Sequence, residues 1–281
     1  MKDLHKAILF MCFSAFAFAI MNGLVKYLVE FSAYQLVFFR SIGTLIITSS
    51  SIYYKKISIL GNKRGLMILR GCGGALSLLL FFAATKYMPV GEAVTLRYLS
   101  PIFAAIFAII WLKEKIKPAQ WLFFLLAFAG VLVLKGFDEN LNLTGLVMVL
   151  LSALFMGLVF VVISKIGKQD HPLVVVNYFM FIGTVLGAIL SIGNWRNPEG
   201  VEWLLLGILG IVGFIGQLYM TKSFQIATTN QVAPLKYLEV IVTVMIGGFW
   251  FLEIYTIWSL IGILMVMAGL TLNILYKSKN G

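Results

Sequence analysis

The sequence predicts an all-α membrane protein: ten transmembrane helices arranged as two inverted five-helix repeats, with both termini cytoplasmic. Three observations lead there. Of 281 residues, 61% are hydrophobic and only 12% charged; long apolar runs recur between short polar breaks; and a stretch of the first half returns in the second. A chain of this composition cannot present a polar surface all round. A bilayer core about 30 Å thick needs roughly 20 apolar residues per helix, and runs of that length leave no room for a sizeable soluble domain.

Polar breaks at residues 26–32, 54–64, 86–91, 113–118, 135–144, 165–172, 193–201, 228–231 and 253–256 leave ten apolar segments. Backbone in lipid must satisfy its own hydrogen bonds, and runs this long, rich in Leu, Ala, Phe and Gly, suit helices rather than the short alternating strands of a barrel. The first segment carries Ala17-Phe18-Ala19, which resembles a signal cleavage site. Its hydrophobicity runs on through Ile20, Met21, Leu24 and Val25, so it reads as a first helix, with Asn22 on it. The second segment contains Arg40, and the third opens near Arg70, which is expected to snorkel to the cytoplasmic surface. The fourth and ninth carry Pro89 and Pro234, marking helix starts or a kink, and each contains a cation, Arg97 or Lys236. The fifth is led by Trp121, and the sixth repeats the pattern of the first. The seventh contains Gly183 and Gly187, and the eighth Gly207, Gly210, Gly213 and Gly216, small faces that let helices approach closely.

Charge sets the orientation. Lys2, Lys6, Lys55, Lys56, Lys63, Arg64, Lys113, Lys115, Lys117, Lys165, Lys168, Lys222, Lys277 and Lys279 fall on one side, against Lys26, Lys86, Lys135 and Arg196 on the other. The positive-inside rule then places both termini in the cytoplasm and accounts for the +11 charge without a nucleic-acid partner.

Placing Arg97 over Lys236, a shift of 139 residues, also aligns Tyr98 with Tyr237, Trp111 with Trp250, Glu114 with Glu253 and Gly130 with Gly269. Upstream, Ser14-Ala15 matches Ser152-Ala153, and Gly43-Thr44 matches Gly183-Thr184. The halves divide as 1–137 and 138–281. Five helices per half make the second copy enter from the opposite side, a plan found in secondary transporters with a site near the midplane. Glu114 and Glu253, at helix ends, are expected to cap or anchor.

The stretches "YLSPIFAAIFAIIWLKEKIKPAQWLFFLLAFAGVLVL" and, in the second half, the partner ending "FLEI" resemble EamA modules of the drug/metabolite transporter superfamily. The likeness covers nearly the whole chain. It implies a ten-helix carrier of small metabolites, acting by alternating access in the bacterial inner (plasma) membrane, with helices 1, 3, 4, 6, 8 and 9 lining its cavity. "VFFR" at 37–40, "ILRG" at 68–71 and "APLKYLE" at 233–239 are similar to segments of the S-adenosylmethionine uptake carriers of that superfamily.

An ionisable residue inside a membrane helix is costly and faces a cavity or a partner. The expected substrate-binding residues are Arg97, Tyr98, Lys236, Tyr237 and Glu239, with Arg40 and Asn22 added, and Glu239 is the candidate for proton coupling. Two chemistries stay open. Glu239 with the aromatic faces of Tyr98 and Tyr237 suits a sulfonium or amino-acid-like compound, whereas Arg40, Arg97 and Lys236 suit a carboxylate or phosphate clamp. The structural alternatives are internal pairs, Arg97 with Glu92, Lys236 with Glu239, and Arg40 with Glu30 or a backbone carbonyl. An enzyme is not expected: Cys12 and Cys72 lack metal or redox spacing, Gly71, Gly73 and Gly74 make no dinucleotide fingerprint, and neither a cofactor nor a metal is implied. A membrane assembly protein without transport and a homodimer stay open. The partners implied are a small-molecule substrate and the lipid bilayer.

Overall fold

The computed structural model describes residues 2–28, 30–84, 87, 96–135, 143–250, 252 and 257–280. Expectations for Lys86, Pro89, Glu92 and Glu253 lie outside them. Among the described residues there is no strand and there are ten helices longer than a few turns. They are α1 (Lys2–Tyr27), α2 (Ala33–Tyr54), α3 (Arg64–Ala84), α4 (Ser100–Leu112), α5 (Pro118–Lys135), α6 (Leu143–Ile166), α7 (Pro172–Ser191), α8 (Glu202–Ile226), α9 (Leu238–Trp250) and α10 (Ile257–Asn280).

Seven segments are long and apolar enough to cross a membrane: Asp3–Val25, Ala33–Tyr54, Arg64–Phe81, Leu143–Gln169, Pro172–Asn194, Glu202–Ile226 and Thr229–Trp250. Ser100–Leu112, Pro118–Val133 and Leu260–Asn273 are apolar but shorter. For α4 the reason is local. The chain turns through Tyr98 and Leu99, Pro101 sets the first helical turn, and Lys113 ends the helix in the left-handed region at φ 55°. Its 13 residues therefore span about 20 Å.

The chain forms two compact units, and each draws on both halves of the sequence: Met1–Ala75 with Val162–Ile226, and Leu76–Val161 with Ala227–Gly281. In the first, α2 and α7 run antiparallel, Ser41 lying against Gly183 and Phe38 against Gly187. Asn177 ties them further by donating to Thr48 Oγ1 at 3.0 Å and Ser49 Oγ at 2.8 Å. On α8, Gly210 meets Gly43 so closely that a Cβ on Gly210 would lie 2.8 Å from the Gly43 Cα. That approach lets Thr44 Oγ1 donate to the Gly210 carbonyl at 2.9 Å. Ser14 and Ser223 fasten α1 to α8 in the same manner, donating to the carbonyls of Gly216 and Ala7 at 2.8 Å each. Between apolar helices such hydrogen bonds and close small-residue contacts supply the cohesion that water exclusion supplies in soluble proteins.

Polar residues close the two ends of this unit. At one end Asp170 accepts from the backbone N–H groups of Asn62 and Lys63, and His171 caps α7 by accepting from Leu173 N–H at 3.2 Å. At the other, Arg196 pairs with Glu202 at 2.9 Å and Glu30 at 3.2 Å. Gln35 exchanges hydrogen bonds with the Arg196 backbone.

In the second unit α5 and α10 run antiparallel. A Cβ on Gly130 would meet Gly262 O and Val266 N at 2.7 and 2.8 Å, and one on Gly269 would meet Phe123 O and Ala127 N at the same two distances. The shift of 139 residues read from the sequence exchanges these contacts with one another. Gln120 donates to Asn273 at 3.2 Å along the same seam. Ser152 joins α6 to α3 by donating to the Ser77 carbonyl at 2.6 Å, the counterpart of the Ser14 bond in the first unit.

Candidate functional site

The chain before α9 is not a plain helix. Thr229–Val232 form one α-helical turn, Ala233–Tyr237 continue as a 3-10 segment with Pro234 near its start, and only then does α9 begin. The opening turn is doubly capped. Thr228 and Gln231 form a capping box, and the Glu114 carboxylate accepts from the backbone N–H groups of Thr229 at 2.9 Å and Asn230 at 3.2 Å. A carboxylate there satisfies orphan donors and complements the positive helix end. Glu114 therefore has the fold role expected of it.

This broken backbone places Lys236 in the last turn of the 3-10 segment and Glu239 in the first turn of α9, where they form an ion pair with both side chains 12% exposed. The pair is the internal one anticipated from the spacing of three residues. Tyr237, between them, points the other way. It is fully buried among Ala127, Val131, Val240, Val266 and Leu270, and its hydroxyl donates to the Tyr98 carbonyl at 2.7 Å. Tyr98 packs on the same cluster with its ring centroid 6.0 Å from that of Tyr237. Arg97, half-buried, lies over the Phe81 ring at 4.6 Å and is within electrostatic reach of Glu239. Five of the seven expected residues thus gather in the second unit, as two cations, one carboxylate and two phenols.

The other two belong to the first unit. Asn22 is half-buried on α1. Arg40 packs its stem against Gly213 of α8 and sits 5.8 Å from the Phe18 ring centroid. The expected partner Glu30 is instead engaged by Arg196, near the N-terminal end of α2. Arg70 corrects the reading more sharply. It does not snorkel: it is 1% exposed, with its guanidinium carbon 4.0 Å from the Phe179 ring centroid. The cause is the face it shares with Gly71 and Gly74, which turn toward Ile182 and Phe179 of α7. Buried Gln217 and Thr221 on α8 drew no attention in the sequence, because neutral polar residues on an apolar helix give no distinctive signal.

A family model described as the EamA-like transporter family matches residues 5–135 and 143–275. Among similar proteins, the human "Solute carrier family 35 member G1" is 29% identical over 91% of this chain and 75% of its own length. The "Pseudopaline exporter CntI" of Pseudomonas aeruginosa is 28% identical over 99% of this chain and 98% of its own. The "S-adenosylmethionine uptake transporter" of Rickettsia felis is 27% identical over 90% of this chain and 87% of its own. A crystal structure matches 98% of this chain and 96% of its own with a TM-score of 0.83 at 18% identity, a likeness of fold.

Proposed function

The chain belongs to the EamA-like transporter family, and from that membership we propose that this multi-pass membrane transporter is a secondary carrier, working by alternating access. Its cargo is a small polar organic metabolite with a carboxylate and a cationic centre, amino-acid-like or S-adenosylmethionine itself. The observation that carries the reading is the Lys236–Glu239 pair at a break in a membrane helix, beside Arg97 and Tyr98. Broken helices are where carriers of inverted-repeat design hold their substrates.

The roles follow from charge. Arg97 takes the carboxylate with its planar fork of donors. Glu239 and the tyrosine faces take the cationic centre. With no substrate, Lys236 neutralises Glu239, which lowers the cost of holding either charge within the membrane. A substrate cation competes with Lys236 for that carboxylate, and a proton on Glu239 weakens the pair in the same way. Glu239 is therefore the proton-coupling residue. The antiparallel runs of α2 on α7 and of α5 on α10, each a sequence-equivalent pair, support inverted repeats at 1–137 and 138–281. The distribution of basic residues supports cytoplasmic termini and, with the family, a bacterial inner (plasma) membrane.

A second reading has one observation in its favour: Arg97 and Lys236 together outnumber Glu239, which suits an organic anion or sugar phosphate taken up by exchange. Uptake into proteoliposomes of labelled S-adenosylmethionine, neutral amino acids and a sugar phosphate separates the readings. Saturable uptake of either of the first two, lost in folded Arg97→Ala and Lys236→Ala, is expected. Uptake of the sugar phosphate alone moves the assignment to the anion exchanger, and no uptake of any compound by a folded protein leaves a membrane assembly role.

A further inference from the structure

The cargo cluster belongs to the second unit, and a separate group of cations stands at the Asp170 end of the first. Lys222, half-buried about one turn before the end of α8, has its Nζ 5.1 Å from the Tyr219 ring centroid and 5.6 Å from that of Phe10. Lys55, exposed at the C-terminal end of α2, is close enough to Lys222 to repel it, and His171 lies within electrostatic reach of both. Among the described residues neither lysine forms an ion pair. Of the carboxylates at this end, Asp3 pairs with Lys168, and Asp170 accepts from the backbone N–H groups of Asn62 and Lys63.

Beside Lys222 the surface is apolar and uncovered. Ile211, Ile215, Tyr219 and Lys222, spaced by four, four and three residues, share one side of α8. Leu9, Phe13, Phe16 and Ile20 make the matching stripe on α1, and all four are exposed, as are Ile211 and Ile215. The two stripes adjoin. The bonds from Ser14 to Gly216 and from Ser223 to Ala7 set α1 antiparallel to α8, and Tyr219 packs on Phe10 and Phe13 with ring centroids 5.5 Å away in each case. From Lys222 to Ile211 is eleven residues, about 16 Å along the helix, which is the depth of one leaflet in a hydrocarbon core about 30 Å thick. An apolar strip alone selects no particular lipid. Two ammonium groups at its polar end do, because they complement a phosphate that carries no positive group of its own. A free phosphate would meet the same lysines but gain nothing from the strip, whereas each methylene buried there strengthens the hold on a lipid.

We propose that the seam between α1 and α8 binds an anionic phospholipid, its headgroup phosphate held by Lys222 and Lys55 and its acyl chains laid over Phe13, Phe16, Tyr219 and Ile215. The site goes beyond the cargo reading and is tested by binding rather than by transport. The thermal unfolding midpoint of the purified full chain in detergent is followed against dioctanoyl phosphatidylglycerol, dioctanoyl phosphatidylcholine and glycerol 3-phosphate, at ionic strength held constant with sodium chloride. Phosphatidylglycerol should raise the midpoint saturably. Phosphatidylcholine, which adds a positive group, and glycerol 3-phosphate, which lacks the chains, should not do so over the same concentrations. Lys222→Gln should raise the half-saturating concentration of phosphatidylglycerol about fivefold, the worth of one lysine at an anionic lipid surface. Lys55→Gln, on an exposed side chain, should act in the same direction and decides if Lys222→Gln does not fold. Lys168→Gln, which removes a lysine already paired with Asp3, should leave the response as it is. An equal rise with phosphatidylcholine, or a rise with glycerol 3-phosphate alone, would overturn the proposal. So would a response unaltered in both Lys222→Gln and Lys55→Gln.

Discussion

Glu239 shares its pair with Lys236 at an exposure of 12% for each side chain, so little water screens the exchange of one partner for another. If a proton or a substrate cation takes the place of Lys236, a neutral amide at that position should separate the two events. Glu239→Gln is expected to abolish the response of uptake to an imposed pH gradient, measured in proteoliposomes, while a folded protein still exchanges labelled for unlabelled substrate at a raised half-saturating concentration, because the neutral amide holds the cationic centre less tightly. Gradient-driven uptake intact in the variant would remove Glu239 from proton coupling. The grouping around it was legible in the sequence, since one register set cation, tyrosine and leucine of each half against the other. Arg70 was not. Its number places it near a helix start, but its fate depends on which face α7 covers, and that is decided by Gly71 and Gly74 meeting side chains far along the chain. Gln217 and Thr221 were illegible for a different reason: their burial, with no hydrogen-bond partner for Nε2 and Oγ1 among the described residues, is a result of packing.

Between helices, the glycine face of α8 was visible in the sequence as a spacing of three, although the spacing did not say which members touch a neighbour. Gly210 touches Gly43 backbone, whereas a Cβ on Gly207 would meet nothing within 4 Å. Gly210→Ala should therefore destabilise by about 1–3 kcal/mol, because neither backbone can yield. Gly207→Ala should be neutral or mildly stabilising, as alanine is the better helix former. Thermal melts of the two variants in one detergent test the contrast, and equal midpoints would contradict the close crossing. At the entrance to α7, burial, with help from Lys55 and Lys222, lowers the His171 imidazole below its ordinary value of 6.5. The folded state thus favours the neutral ring that caps Leu173. An unfolded chain takes up that proton first, so the contribution is complete above 6.5 and is lost as pH falls through the lowered value. His171→Asn keeps an acceptor at the cap and should flatten the fall in melting temperature between about pH 7 and about pH 5. An unchanged pH profile would assign that fall to other groups.

For the molecule as a whole, the number of helices was readable because the bilayer fixes the length of an apolar run and polar breaks punctuate it. The partition into compact units was not readable: each unit takes elements from both halves, so it cuts across the repeat that the sequence displays. Repetition is a property of the chain, whereas compactness follows from which faces meet. The turn at Tyr98 and Leu99 and the 3-10 segment Ala233–Tyr237 likewise shorten α4 and α9 in a way hydropathy does not register. A carrier with its cargo held at Arg97, Lys236 and Glu239, as proposed, exchanges that cargo across the membrane through those side chains. Counterflow tests it most directly, with vesicles preloaded with unlabelled S-adenosylmethionine, or with the amino acid accepted in the uptake panel, and given the labelled compound outside. Transient accumulation of label above equilibrium is expected with the wild type and none with folded Arg97→Ala. Label that only equilibrates in the wild type, or accumulates equally in Arg97→Ala, would contradict it.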